Sequence, residues 1–115
     1  MTKETYHLKK EGNLFTTEIP SGSGVFFGFR KWTWGEKNAL TSECTIIDPF
    51  TNFVRIDSIR YNETLVVRTV MKKVGENFVA ITADELRSMD AQIGERLSRI
   101  TQSINLVQEV EAKNL

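Results

Sequence analysis

The nucleophilic chemistry open to this sequence depends on one cysteine, Cys44, and one histidine, His7. In a Cys–His pair the imidazole deprotonates the thiol and so activates it. Cys44 lies in an apolar stretch of helical spacing, which favours a small buried core thiol over a nucleophile. His7 is expected to be a solvated strand residue. We therefore predict no catalytic pair.

Other groups of residues that could bind a metal, bind a phosphate or catalyse a reaction are also disfavoured. One histidine cannot build a histidine-based zinc site alone, and one cysteine cannot form an internal disulfide. Asp48, Asp57 and Glu63 could approach one another, but surface solvation or helix capping accounts for each of them. The "SGSG" at residues 21–24 lacks the Gly-Lys-Ser/Thr of a phosphate-binding loop. The sequence predicts a protein that is not an enzyme and uses no metal or cofactor.

The stretch "GVFFGFRKWTWGEKN", residues 24–38, combines three Phe, two Trp and three basic residues. Its aromatic side chains allow three interpretations: core packing, a surface for a protein partner, or stacking of nucleotide bases. Phe27 and Phe29 share one strand face and are predicted to be core. Trp32 and Trp34 are the candidates for a partner, because Trp is enriched among the residues that dominate interface energies. Nucleic acid is disfavoured, since Lys+Arg and Asp+Glu both number 15 and leave no basic excess.

The order of the predicted strands and helices indicates a single α+β domain over residues 1–115. A β-rich platform is expected over 1–32 and mainly helix over 33–115, so a small N-terminal antiparallel sheet precedes about four helices, the last one long. Alternating side chains and the "IPSGSG" loop place the strands in three ranges: 4–10, 13–19 and 24–32. The hydrophobic content of 40% is that of a globular protein and not of a disordered one.

Two helices are predicted in the middle of the chain. Thr33 and Glu36 have capping-box spacing, so a helix is expected from Trp34 to about Cys44, with Ala39, Leu40, Cys44 and Ile47 near one side. Pro49 should close that segment. Residues 58–74 are ambiguous, because the β-branched "TLVVRTV" favours a strand whereas the apolar residues from Val66 to Val74 follow a helical face. We predict a helix over 58–74, capped by Asp57 or Ser58 and ended by Gly75.

The C-terminal segment shows the clearest helix signals. Thr82 and Glu85 repeat the capping-box spacing, and Asp90 can cap a second, longer helix. Along that helix a narrow apolar seam recurs at spacings of four and three residues: Ile93, Leu97, Ile100, Ile104 and Val107. Such a seam is long enough to dock on another surface.

Three segments over roughly residues 29–115 resemble the small tail assembly chaperones of tailed bacteriophages. "FRKWTWGEKNAL" resembles the Arg-x-x-x-Trp-Gly-Glu entry of a helix in that family, here Arg30, Trp34, Gly35 and Glu36. "IDSIRYNETLVVRTV" is similar to the next family helix, typically Arg-x-Asn-x-x-Leu-Val, here Arg60, Asn62, Leu65 and Val66. "ITADELRSMDAQIGERLSRITQSIN" resembles the closing unit, a short capped helix before a Gly-x-x-Leu helix that ends in Asn, here Gly94, Leu97 and Asn105. "TIIDPFTNFVRID" has no family counterpart that we can place.

The resemblance implies a non-enzymatic role, namely binding the long, helical, hydrophobic tape-measure protein and keeping it soluble while tail-tube subunits assemble around it. A partner helix would then pack in a groove, which we expect to be bordered by Trp32, Trp34, Leu106 and Val107. Two alternatives stay open. The chain could be a permanent structural subunit of a tail or baseplate, or a small module that binds single-stranded nucleic acid.

The sequence also allows predictions of membrane association and cellular location. The longest apolar runs are far shorter than a bilayer span, and the N-terminal "MTKETYHLKKEG" has no apolar signal core. We therefore predict no membrane association and a reducing cytoplasmic location, in the host if the protein is viral. A formal net charge of zero gives little repulsion between copies, so a homo-oligomer stays open as well.

Overall fold

A five-stranded antiparallel sheet, four helices and a two-stranded hairpin make up the part of the chain that the computed structural model describes, residues 8–105. In chain order the elements are β1 Lys9–Glu11, β2 Leu14–Glu18, β3 Phe26–Arg30, α1 Trp34–Glu43, β4 Thr45–Ile47, β5 Val54–Ile56, α2 Ser58–Thr69, β6 Val70–Val74, β7 Asn77–Ala80, α3 Ala83–Ser88 and α4 Ala91–Asn105. This confirms the predicted α+β class, with an N-terminal antiparallel sheet and a long last helix.

The sheet extends further than the sequence predicted. Its strand order is β1-β2-β3-β6-β7, so two strands from the middle of the chain join the three N-terminal ones. Phe15 lies opposite Phe29 in β2–β3, and Phe29 lies opposite Val70 in β3–β6. The three predicted N-terminal strands are present, although part of the first predicted strand lies outside the described residues. The additional strands β6 and β7 were not anticipated.

The prediction of a continuous helix over residues 58–74 is wrong in its last part. The helix α2 begins after its predicted cap Asp57 but ends at Thr69, and Val70 has extended backbone angles. From there β6 pairs with β3, with Met71 opposite Gly28 and Lys72 opposite Phe27. Backbone bonds to β3 therefore replace a last helical turn that the β-branched residues favour only weakly. Gly75, with φ +63°, lies in the tight turn into β7, a conformation that glycine adopts without steric cost.

The main core lies between the sheet and the helices α2 and α4. The buried apolar residues of this cluster are Ile19, Phe27, Phe29, Val66, Val70, Ile81, Leu97 and Ile100. Within the C-terminal seam, Leu97 and Ile100 are fully buried and Ile93 and Ile104 pack half-buried against them. The seam therefore serves the chain's own core, and Val107 lies outside the described residues.

A smaller core cluster joins α1 to α2. Leu40, Cys44 and Leu65 are buried there, and the half-buried Trp32 and Tyr61 pack against them. Cys44 is only 1% exposed, so the prediction of a buried core thiol is confirmed. Ile47, which was expected near the same side of α1, lies instead in strand β4, because the helix ends at Glu43.

The helix starts follow the predicted caps. Thr33 and Glu36 form both hydrogen bonds of a capping box at α1. The carboxylate of Asp57 accepts from the Arg60 amide at 3.1 Å, and the Thr82 hydroxyl accepts from the Glu85 amide at 3.1 Å. Asp90 accepts from the Gln92 amide at 3.0 Å before α4. Each of these bonds satisfies an amide that the first helical turn would otherwise leave unpaired.

Candidate functional site

The candidate site lies beside the corner at which β3 leads into α1. An ion pair between Arg30 and Glu36 spans this corner. The Arg30 guanidinium donates two hydrogen bonds to the Glu36 carboxylate, at 3.1 Å and 2.6 Å. One oxygen of Glu36 also accepts from the Thr33 amide at 3.0 Å. The Arg30 bonds, followed by the Thr33 amide, lower the pKa of Glu36 to about 2. The corner is therefore fixed by a pair that joins the end of a strand to the first turn of a helix.

Asn105, at the end of α4, ties this corner to the last helix of the described chain. Its side-chain amide donates to the Arg30 carbonyl and to the Thr101 hydroxyl, both at 3.1 Å. Its side-chain oxygen accepts from the Trp32 amide at 2.9 Å, and its carbonyl accepts from the Trp32 indole at 3.4 Å. One asparagine thus joins the end of α4 to the connection between β3 and α1, which is far away in the sequence.

The two tryptophans have different environments. Trp32 is half-buried, and its ring meets the Tyr61 ring edge to face, with centroids 6.2 Å apart and planes at 84°. Trp34, the first residue of α1, is 81% exposed. Both tryptophans were predicted to contact a protein partner. The structure leaves the ring of Trp34 accessible and uses much of Trp32 for internal packing.

An open depression of ≈ 200 Å³ lies between the start of α1 and the end of α4. Its lining combines two tryptophans, two lysines and the end of α4, namely Lys31, Trp32, Thr33, Trp34, Lys37, Ile104 and Asn105. The predicted border residues Trp32 and Trp34 are therefore brought together here. Leu106 and Val107, the other two, lie outside the described residues.

The carboxylates that could have formed a catalytic group are used separately. Asp48 accepts amide bonds within a loop, Asp57 caps α2, and Glu63 pairs with Arg87 of α3 at 2.6 Å. The amides of Phe50 and Thr51 lower the pKa of Asp48, and Arg87 lowers that of Glu63. Asp57 is a helix cap, as predicted, whereas Glu63 is engaged in an ion pair that the sequence analysis did not anticipate.

Metal-ligating residues are dispersed in the described part of the chain. Over residues 8–105 there is no cluster of three or more His, Cys, Asp or Glu that could hold a metal ion. None of the helices in the same range is both long and apolar enough to cross a membrane.

A second exposed apolar surface, which the sequence analysis did not predict, lies on the β4–β5 hairpin. We call residues 45–56 the arm, since its strands pair only with each other and not with the main sheet. Phe50 and Phe53, in the loop of the arm, are 95% and 76% exposed. The signal in the sequence was a pair of short runs rich in β-branched residues, "TII" and "VRI", on either side of "DPFTNF". The helix end predicted at Pro49 obscured this hairpin pattern.

Comparison of the chain with protein-family models, with curated proteins and with solved structures finds no match.

Proposed function

We propose that this chain is a non-enzymatic protein-binding assembly factor, a tail assembly chaperone of a tailed bacteriophage that binds the tape-measure protein in the host cytoplasm. The observation that carries the proposal is the exposed ring of Trp34 beside the depression between α1 and α4. The residues around it, Arg30, Glu36 and Asn105, belong to two of the three segments on which the resemblance was based, and they are hydrogen-bonded into one corner.

An exposed Trp at this place suits a protein partner. Leaving a large apolar ring in water is unfavourable, and covering it releases the free energy that makes Trp a frequent hot spot. Its neighbours Thr33 and Glu36 are fixed by the capping box, so the backbone that carries the ring is already ordered before binding. Such preorganisation lowers the entropic cost of association.

The rim of the depression defines the chemistry of the partner. Lys31 and Lys37 line it beside Trp34, so a partner with acidic side chains next to an apolar stripe is electrostatically favoured. A helix that presents apolar residues at i, i+3 and i+4 fits this description, with Trp34 covered by the apolar stripe. We expect the tape-measure segment that binds to be an amphipathic, acidic helix.

Co-expression with the tape-measure protein tests the proposal. A variant carrying Trp34→Ser and Leu106→Ser should lose most of the soluble partner, because it removes the exposed ring and the apolar residue that follows Asn105 in the sequence. Val74→Ser is the matched control, since Val74 is also an exposed apolar residue but lies in β6. Unchanged partner solubility with the double variant would count against the proposal.

Two other functions have distinct outcomes. A permanent tail or baseplate subunit should be present in purified virions, whereas a chaperone should be absent from them. Binding of single-stranded nucleic acid is favoured by one observation, namely that Lys31 and Lys37 flank an exposed Trp. It requires an affinity for an oligonucleotide that falls steeply with salt, because phosphate contacts release counterions. No binding, or a flat salt response, excludes it.

A further inference from the structure

The arm carries an apolar ladder on one of its two faces. Thr45 lies opposite Ile56 and Ile47 opposite Val54, so these four side chains share one face, while Ile46 and Arg55 share the other. The three apolar side chains of the first face are between 44% and 64% exposed. A hairpin of two strands with an uncovered apolar face is only marginally stable in water.

The arm is nevertheless a well-defined structure. The Asp48 carboxylate accepts from the Phe50 amide at 2.8 Å, and the backbone of Asp48 bonds Phe53 and Asn52 at 2.9 Å each. At the base of the arm the Asp57 amide donates to the Cys44 carbonyl at 2.8 Å. These bonds fix the loop that bears Phe50 and Phe53, and they anchor the arm to the smaller core cluster.

The exposed apolar area of the arm matches the needs of a dimer. Phe50 and Phe53 together expose about 340 Å² on typical aromatic areas. The aliphatic side chains of the ladder, Ile47, Val54 and Ile56, add about 160 Å² on typical transfer areas. The total of about 500 Å² lies in the upper half of the range for the largest patches of monomeric proteins. Two such patches come to about 1,000 Å², the smallest area expected of a specific interface.

The charges on and near the arm do not oppose contact between two copies. Arg55 lies on the face opposite the ladder, and Asp48 is engaged in the loop. The chain as a whole has a formal net charge of zero, so two copies approach without net repulsion. A second ladder can cover the first, because stacking two hairpins face to face buries the apolar side of each against the other.

We propose that the arm is a self-association interface at which two copies of this chain pack ladder against ladder about a twofold axis. Ile47, Val54 and Ile56 of each copy meet those of the other, and Phe50 and Phe53 close the ends of the contact. The interface is isologous, so the same residues are buried on both sides. This inference does not depend on the proposed function, which uses Trp34 at the other end of α1, about 14 Å away along the helix axis.

Light scattering coupled to size-exclusion chromatography tests the proposal on the purified full chain. The expected mass is twice the 13.2 kDa of one chain. The variant carrying Phe50→Ser and Phe53→Ser should raise the dimer dissociation constant about thirtyfold or more, as loss of interface hot spots does. Trp34→Ser is the matched control and should remain a dimer, because its exposed ring lies outside the arm. Both variants change exposed side chains and should fold, which circular dichroism checks.

Cysteine cross-linking gives an independent measurement. Val54→Cys should form a disulfide-linked dimer on mild oxidation, whereas Val79→Cys, a half-exposed edge position in β7, should not. A monomeric wild-type chain at micromolar concentration would overturn the proposal, as would a dimer that the arm variant leaves intact. A monomer whose arm variant no longer solubilises the tape-measure protein would show a different occupant, and this result too would overturn self-association while leaving the proposed function in place.

Discussion

Replacing Asn105 by alanine should destabilise the fold by about 2 kcal/mol. The substitution removes two side-chain hydrogen bonds that join the end of α4 to the corner between β3 and α1, and a third to Thr101 within α4. It leaves the Trp32 amide and the Arg30 carbonyl without this partner. A buried group left unpaired costs about 1–3 kcal/mol, and because both residues are half-buried we take about 1 kcal/mol for each.

Urea unfolding followed by tryptophan fluorescence measures this loss, since Trp32 reports directly on the site. The thermal midpoint should fall by about 8 °C, at about 4 °C per kcal/mol for a domain of this size. Asn105→Asp should lose roughly half as much, because a carboxylate still accepts from the Trp32 amide but cannot donate to the Arg30 carbonyl.

Ser103→Ala is the matched control. Like Asn105→Ala, it places an alanine in the last turn of α4. It removes only a local hydrogen bond from the Ser103 hydroxyl to the Ile100 carbonyl. We expect a change within about 0.5 kcal/mol, typical of exposed positions. If Asn105→Ala were no more destabilising than Ser103→Ala, the claim that this asparagine holds the corner together would be refuted.

Two further predictions follow from the same corner and from the sheet. The folded-state pKa of Glu36 is lowered from 4.5 to about 2, so its stabilisation is present above pH 4.5 and is lost as the pH falls toward 2. Solvent screening limits it to about 1 kcal/mol, and urea midpoints of the wild type and Glu36→Gln should converge over that range. Gly28→Ala should cost about 1 kcal/mol in thermal melts, because its Cβ would lie 3.1 Å from Phe78. Gly35→Ala, whose Cβ meets no atom closer than 3.9 Å, should cost nothing, and an equal loss in both would contradict this packing argument.

Features that depend on neighbouring residues could be predicted from the amino-acid sequence. The caps at Thr33, Asp57, Thr82 and Asp90 form as predicted, because each bond joins residues two or three positions apart and needs no distant partner. The burial of Phe27 and Phe29, and of Leu97 and Ile100 in the α4 seam, also followed from the strand and helix periods. A stripe of apolar side chains must face the core wherever the core lies.

The end of α2 depends on a contact between distant parts of the chain. The same valines satisfy a helical face and a strand, and their side chains alone do not choose between the two. Pairing of Val70 with Phe29, some forty residues earlier in the chain, supplies the backbone hydrogen bonds that turn this stretch into β6. Periodicity over a short window contains no information about a partner at that distance.

The candidate surfaces depended on tertiary structure for the same reason. The residue types of Trp32 and Trp34 are equivalent in the sequence, and their exposure differs because Tyr61 and Asn105, from two other helices, pack against and bond Trp32 alone. The arm projects from the fold because its strands pair with each other and leave the main sheet to β6. Local sequence thus fixed which residues are apolar, whereas the arrangement of distant elements decided which of them stay in contact with water.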